Sequence, residues 1–189
     1  MTLSVIIPSG AKDYSRAKSL ASFCLSRGAY EAIVETSGHT IAQARNIGIA
    51  KSHGDEILIL DADMILPEQI RLDRLKDYRF DVATAWYETI EPLDNLITLF
   101  QNFMASIGSP FAMYGGFMYF KRRVYDDVGP FRDMPGEDLE WATRAWLRQW
   151  KIEHFPFVVK HGREFHWANA VGPLINDKGE IWGLPSTHV

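Results

Sequence analysis

Two carboxylates spaced i, i+2, Asp61 and Asp63, close a short aliphatic run, Ile57-Leu58-Ile59-Leu60, with no Lys or Arg beside them. The run is too short for a typical helix, and its length and β-branched content read as a buried parallel strand. The carboxyl end of such a strand is where ligands of an open α/β sheet bind. Two carboxylates there repel each other and invite a divalent cation, and an oxygen-rich site suits Mn²⁺ or Mg²⁺. The plainer reading is a solvated Asp-Ala-Asp turn. A second acidic pair, Glu137-Asp138, follows a Pro135-Gly136 turn and opens a helical stretch. Standing alone, it would simply complement the helix dipole.

Alternating strands and helices must position these groups. Strands are expected at 3–8, 32–35, 57–60, 81–86, 116–120 and 157–160. Helices are expected at 12–27, 41–52, 91–107 and 138–149. The first helix carries Ala17, Leu20, Ala21 and Cys24 along one face and stops at Gly28. The third has Leu93, Leu96, Ile97, Phe100, Met104 and Ile107 at helical spacing. Short strands alternating with helices imply an α/β fold with a mostly parallel central sheet and helices on both faces.

At 189 residues the chain is expected to form one compact domain that buries roughly 70% of its unfolded surface. A net charge of −4 argues against a nucleic-acid-binding surface, which needs a basic patch. One cysteine, Cys24, cannot form an internal disulfide, and the N-terminus lacks the features of a signal peptide, so the expectation is cytoplasmic. Residues 95–120 carry no charge, but Asn95, Gln101, Asn102, Gly108, Pro110, Gly115 and Gly116 interrupt them, so no transmembrane segment is expected.

The order of motifs resembles a known family. Ser4-Val5-Ile6-Ile7-Pro8, Ala44-Arg45-Asn46-Ile47-Gly48, Gly54-Asp55 and Asp61-Ala62-Asp63 come first. Gly115-Gly116, Lys121-Arg122-Arg123, Val128-Gly129-Pro130-Phe131, Gly136-Glu137-Asp138-Leu139-Glu140 and Arg144 follow. This series resembles the nucleotide-sugar glycosyltransferases of the Rossmann-like GT-A fold, and most of all the family 2 enzymes. The likeness covers about residues 3–161. It implies a nucleotide-sugar-binding half (1–86), an acceptor and catalytic half (87–161) and a C-terminal tail or flap (162–189).

The resemblance also implies roles. Asp63 would bind the metal directly, Asp61 would contact metal or ribose, and His161 would complete the metal site, with His166 in reserve. Pro8, Ser9 and Glu35 stand where the family holds base and ribose, although the usual acidic pair here is Glu35-Thr36-Ser37. Arg45 would approach the diphosphate, and Gly115-Gly116 with Tyr114 would let backbone near the donor sugar. Asp138 matches the general base of an inverting transfer, with Glu137 contacting the acceptor or orienting the site. Trp86, Trp141 and Trp167 could stack on sugar faces or belong to the core. The implied partners are a UDP- or GDP-type sugar donor and a glycan, protein or lipid-linked acceptor. The apolar helix with Phe111 and Met113 is most simply packing, the alternative being a hydrophobic surface for a lipid-linked acceptor or a partner protein, with peripheral membrane contact. Residues 165–167 and the hairpin-like 175–181 could form a flap.

Three rivals remain. Haloacid-dehalogenase-type phosphatases also use a strand followed by D-x-D, but they want Thr or Val where this chain has Ile65, and the motif on their first strand. A sugar nucleotidyltransferase needs a Gly-rich basic loop of which Ser9-Gly10-Ala11-Lys12 is a fragment. A non-catalytic nucleotide-sugar-binding module would have no need of Asp138.

Overall fold

A computed structural model describes residues 1–89, 102–104, 106–107, 113 and 115–162. Tyr114, Phe111, His166, Trp167, the segments 165–167 and 175–181 and most of the expected helix 91–107 lie outside the described residues.

The chain opens with β1 (Leu3–Pro8), a 3-10 turn (Ala11–Asp13), α1 (Tyr14–Ser26), β2 (Glu31–Glu35), α2 (Ile41–Lys51) and β3 (Glu56–Leu60). Then come β4 (Met64–Ile65), a 3-10 helix (Leu72–Tyr78) and β5 (Val82–Thr89). The remainder holds β6 (Phe117–Lys121), α3 (Arg122–Val128), α4 (Glu137–Leu147) and β7 (Ile152–His161). Among the described residues the other expected strands and helices recur, most within two residues of their expected bounds. Three elements were not anticipated: β4, the 3-10 helix and α3, which forms from the basic stretch after β6.

The sheet has seven strands in the order β2-β1-β3-β6-β5-β7-β4. Strands β1, β2, β3, β5 and β7 share one direction, while β6 runs antiparallel between β3 and β5, and β4 runs antiparallel to β7. The sheet is therefore mostly parallel, with two reversals that a simple alternation of strand and helix does not predict. Strand β7 is longer than the expected 157–160 because it passes through an irregularity. Its register against β5 jumps from Thr84↔His154 to Trp86↔Val158, and Pro156, which has no N–H to give a ladder, sits within that jump.

Helices cover both faces. On one, Ala17, Leu20, Ala21 and Cys24 of α1 pack against Val5, Ile7, Leu58 and Leu60. On the other, α2, α3 and α4 meet Ile6, Ile57, Ile59, Met118 and Phe120. Trp141 of α4 is fully buried there, its ring 4.7 Å from Phe120 and 5.3 Å from Phe131, with Nε1 donating to the Gly129 carbonyl at 2.9 Å. It is a core residue, not a sugar platform. Trp86 lies against the His154 ring.

Helix α2 sits unusually close to the sheet. A Cβ at Gly48 would collide with Cγ2 of Ile6, so glycine permits the approach. Thr40 caps the helix, its hydroxyl accepting from Gln43 N–H at 3.3 Å. At the other end Arg122 closes the last turn, donating to the carbonyls of Ser52 and Gly54 at 3.1 and 2.8 Å. The helix is thereby pinned at both ends, and its first turns lie over the carboxyl ends of β1 and β3.

Candidate active site

Main-chain geometry shapes the Asp61-Ala62-Asp63 turn. The Asp61 N–H donates to the Gly116 carbonyl at 3.3 Å and the Met64 N–H to the Asp61 carbonyl at 3.1 Å. The Asp63 carbonyl accepts from Gly162 N–H at 2.8 Å, which ties the turn to the end of β7. Antiparallel pairing of Met64 with His161 then brings His161 beside the turn, its Nε2 3.6 Å from Oδ2 of Asp63. Both side chains are largely buried.

The second acidic pair comes from the start of α4. Gly136 adopts φ +71°, a left-handed conformation suited to glycine, and starts α4 so that Glu137 and Asp138 form its first turn. Asp138 accepts through Oδ2 from Gly115 N–H and through Oδ1 from Leu139 N–H, both at 2.8 Å. Glu137 turns inward and accepts from Nη1 of Arg45.

Arg45 is the central cation. Its side chain is 1% exposed, Nη2 lies 3.6 Å from Oδ1 of Asp61, and the guanidinium sits 5.6 Å from the Phe131 ring centre. Burial disfavours its charge, but Asp61, Glu137 and Asp138 more than offset this and hold its pKa above the usual arginine value. Burial also pushes the Asp61 carboxyl above the ordinary carboxylate range; Arg45 opposes that shift, while Asp63 and Asp138 add to it. The site therefore carries more acid than its one buried guanidinium balances, which suits a cation.

Next to this cluster lies a cleft of about 340 Å³, lined by Pro8, Ser9 and Asp13 after β1, by Gly38, His39 and Thr40 before α2, and by Asp61 and Asp63. Pro8, Ser9, Asp61 and Asp63, all expected at the donor site, line this one cleft. Glu35 is not among the lining residues. Its carboxylate, 2% exposed, accepts from Ser37 N–H at 2.8 Å, from the Ser37 hydroxyl at 2.5 Å and from Lys51 Nζ at 2.6 Å. Arg45, Glu137, Asp138 and His161 do not line the cleft either. Gly115 and Gly116 lie against Arg45 and Asp61, and a Cβ at Gly115 would collide with Nη2 of Arg45.

Sequence reasoning missed Asp13 and His39 as cleft residues and Asn46 as a fastener. Asn46 Oδ1 accepts from Phe131 N–H and the Tyr125 hydroxyl, both at 2.9 Å, and its Nδ2 donates to the Phe131 carbonyl at 2.8 Å. Arg144 donates to the carbonyls of Val128 and Pro130 at 2.5 and 2.8 Å. Both hold the loop that leads to Glu137. The signal was present as two motif residues, Asn46 and Arg144, with no chemistry assigned.

The residues expected to bind metal divide. Asp63 and His161 are adjacent, and their carboxylate and imidazole form a donor pair that fits Mn²⁺ or Mg²⁺, while Asp61 faces Arg45. Among the described residues no three His, Cys, Asp or Glu side chains form a ready-made cluster.

No family model matches the sequence, and no curated protein matches it significantly. Solved structures do. The mannosyltransferase PcManGT from Pyrobaculum calidifontis, in complex with GDP-Man and Mn²⁺, superposes with a TM-score of 0.59 at 16% identity, over 89% of this chain and 59% of that one. Glucosyl-3-phosphoglycerate synthase from Mycobacterium tuberculosis, with Mn²⁺, UDP and its product, gives 0.58 at 15% identity, over 90% and 75%. TarS of S. aureus gives 0.59 at 14% identity, over 86% of this chain and 37% of that one. The fold is the GT-A fold of nucleotide-sugar glycosyltransferases, and the chain spans well under two thirds of PcManGT and TarS.

Proposed function

We propose that this protein transfers a sugar from a nucleoside diphosphate donor to an acceptor hydroxyl in a metal-dependent, inverting reaction. The observation that carries this reading is the meeting of two acidic sites, Asp61/Asp63 with His161 and Glu137/Asp138, about the buried Arg45, with Asp61 and Asp63 lining the cleft beside it. The neighbours' complexes with GDP-Man or UDP and Mn²⁺ support a donor of the UDP or GDP class.

Asp63 and His161 would hold the cation, which when bound neutralises the departing diphosphate. Pro8 and Ser9 line the cleft for the nucleotide. Asp138 is the general base: it removes the acceptor hydroxyl proton as the oxygen bonds to the anomeric carbon and the bond to diphosphate breaks. Two backbone N–H groups fix its orientation. Glu137 is ion-paired with Arg45, whereas Asp138 is held by backbone N–H groups. A positioned base of this kind contributes about 10²- to 10⁴-fold to the rate.

Among the described residues no helix is long and apolar enough to cross a membrane. The acceptor is a glycan, protein or lipid-linked hydroxyl. A phosphatase reading is disfavoured because Asp61, its would-be nucleophile, faces the Arg45 guanidinium.

Calorimetric titration with UDP, GDP and their sugar conjugates, with and without Mn²⁺, tests the proposal. Micromolar binding of one diphosphate that needs Mn²⁺ is the expected result. No heat from any nucleotide, with folded protein and Mn²⁺ present, overturns it.

A further inference from the structure

Resting on that reading, we infer that Arg45 is a positioning residue that joins the two halves of the site, not a ligand of the donor's diphosphate. An arginine near a diphosphate site invites the second role, since a guanidinium meets phosphate oxygens bidentately. Its surroundings point elsewhere. The side chain is 1% exposed and is absent from the walls of the cleft, although its neighbour Ala44 is among them. Nη1 donates to Glu137 on α4 and Nη2 points towards Asp61 at the end of β3, while Nε is buried without a hydrogen-bond partner among the described residues and the guanidinium lies over the Phe131 ring.

Those contacts join separate elements, and the one to Glu137 spans 92 residues of sequence. Asp61 ends the strand that leads into the metal turn, and Glu137 starts the helix that carries Asp138. One buried guanidinium therefore sets the spacing between the donor side of the site and the base. Gly115 belongs to the same device. A side chain there would strike Nη2 of Arg45 and come within 2.8 Å of Oδ2 of Asp138, while its N–H, at 2.8 Å, holds that same oxygen. Glycine at 115 thus lets Arg45 and Asp138 approach one backbone position closely, a role that does not involve the donor sugar.

The test compares Arg45→Met with the double variant Arg45→Met/Glu137→Met. Removing one partner of a buried ion pair strands the other, whereas replacing both by apolar groups of similar size relieves it. The double variant is therefore expected to melt at a higher temperature than Arg45→Met alone. It is also expected to bind the preferred nucleoside diphosphate with Mn²⁺ within about threefold of wild type, while donor turnover at saturation, read as hydrolysis or transfer, falls more than about tenfold. That split of turnover from affinity is what lost positioning predicts and general loss of structure does not. Arg45→Lys, which keeps a charge against the two carboxylates, serves if Arg45→Met fails to fold, and it should show the same split. A diphosphate ligand would instead lose about 100-fold in affinity in the double variant, and that result, or a double variant melting below Arg45→Met, overturns the inference. If wild type binds no nucleotide, the glycosyl-transfer reading fails by itself, and the melting comparison still decides whether Arg45 and Glu137 form the clamp.

Discussion

His161 and Asp63 meet at the last step of the β4–β7 ladder, Nε2 3.6 Å from Oδ2, because Met64 pairs with His161 across antiparallel strands. A two-residue strand thus sets the imidazole beside the carboxylate. The arrangement makes the metal role of each testable separately from the fold.

Asp63→Ala should abolish Mn²⁺-dependent nucleotide binding, a loss of at least about 100-fold, while the circular dichroism spectrum stays that of wild type. The fold should survive because the Asp63 carbonyl, not the side chain, accepts the Gly162 bond. His161→Ala should weaken Mn²⁺ about tenfold or more by the same titration, since one donor of the pair is gone. Unchanged Mn²⁺ affinity in both variants would remove this pair from the metal site.

Asp138→Asn preserves size and can still accept from the Gly115 and Leu139 amides, so donor binding should persist. Transfer should fall by about 10²- to 10⁴-fold, because the amide cannot take the acceptor proton. Single-turnover kinetics at saturating donor would show it; an active variant moves the base to Glu137.

Asn46→Ala removes three hydrogen bonds at once and leaves the Phe131 N–H and carbonyl to find new partners in a half-buried setting. A loss of about 2–3 kcal/mol is expected, equivalent to roughly 4–12 °C in melting temperature for a chain of this size. Scanning calorimetry checks it. The loop it fastens leads directly to Glu137, so turnover should fall along with stability.

Glu35 carries a pH signature. Burial alone would raise its pKa, but the Lys51 ammonium and the Ser37 hydroxyl and N–H outweigh this and bring it down to about 2. A folded pKa below the unfolded one means the stabilisation is full above the ordinary carboxylate range and is lost as pH falls towards 2. Melting temperature should therefore drop between about pH 5 and pH 2, and Lys51→Met should flatten that drop. Lys51 is more than half exposed, so its own removal at pH 7 should cost only about 1 kcal/mol.

Local chemistry made much of this protein legible. The aliphatic run and its terminal Asp pair marked β3 and the turn beyond it, because a short β-branched stretch ending in carboxylates has few other uses. Pro135-Gly136 before Glu137 marked the start of α4, because glycine tolerates the left-handed φ found there. Element α3 escaped because Arg122-Arg123 looks like a solvated loop until Arg122 is seen capping α2. Glu35 was read as a nucleotide contact from its position at the end of β2; its pairing with Lys51, 16 residues on, could not be read from that position.

The sequence by itself determined which residues carry charge at the ends of which strands, since hydrophobic period and turn chemistry are local properties. Only tertiary structure decided which charges face one another. Arg45 was legible as a cation on α2, but whether it faced solvent or protein depended on how closely α2 packs over β1, which Gly48 and Ile6 decide. The same holds for His161, brought to Asp63 by strand register, and for Trp141, drawn into the core by Phe120 and Phe131. Such pairings depend on the packing of distant elements, and no local pattern encodes them.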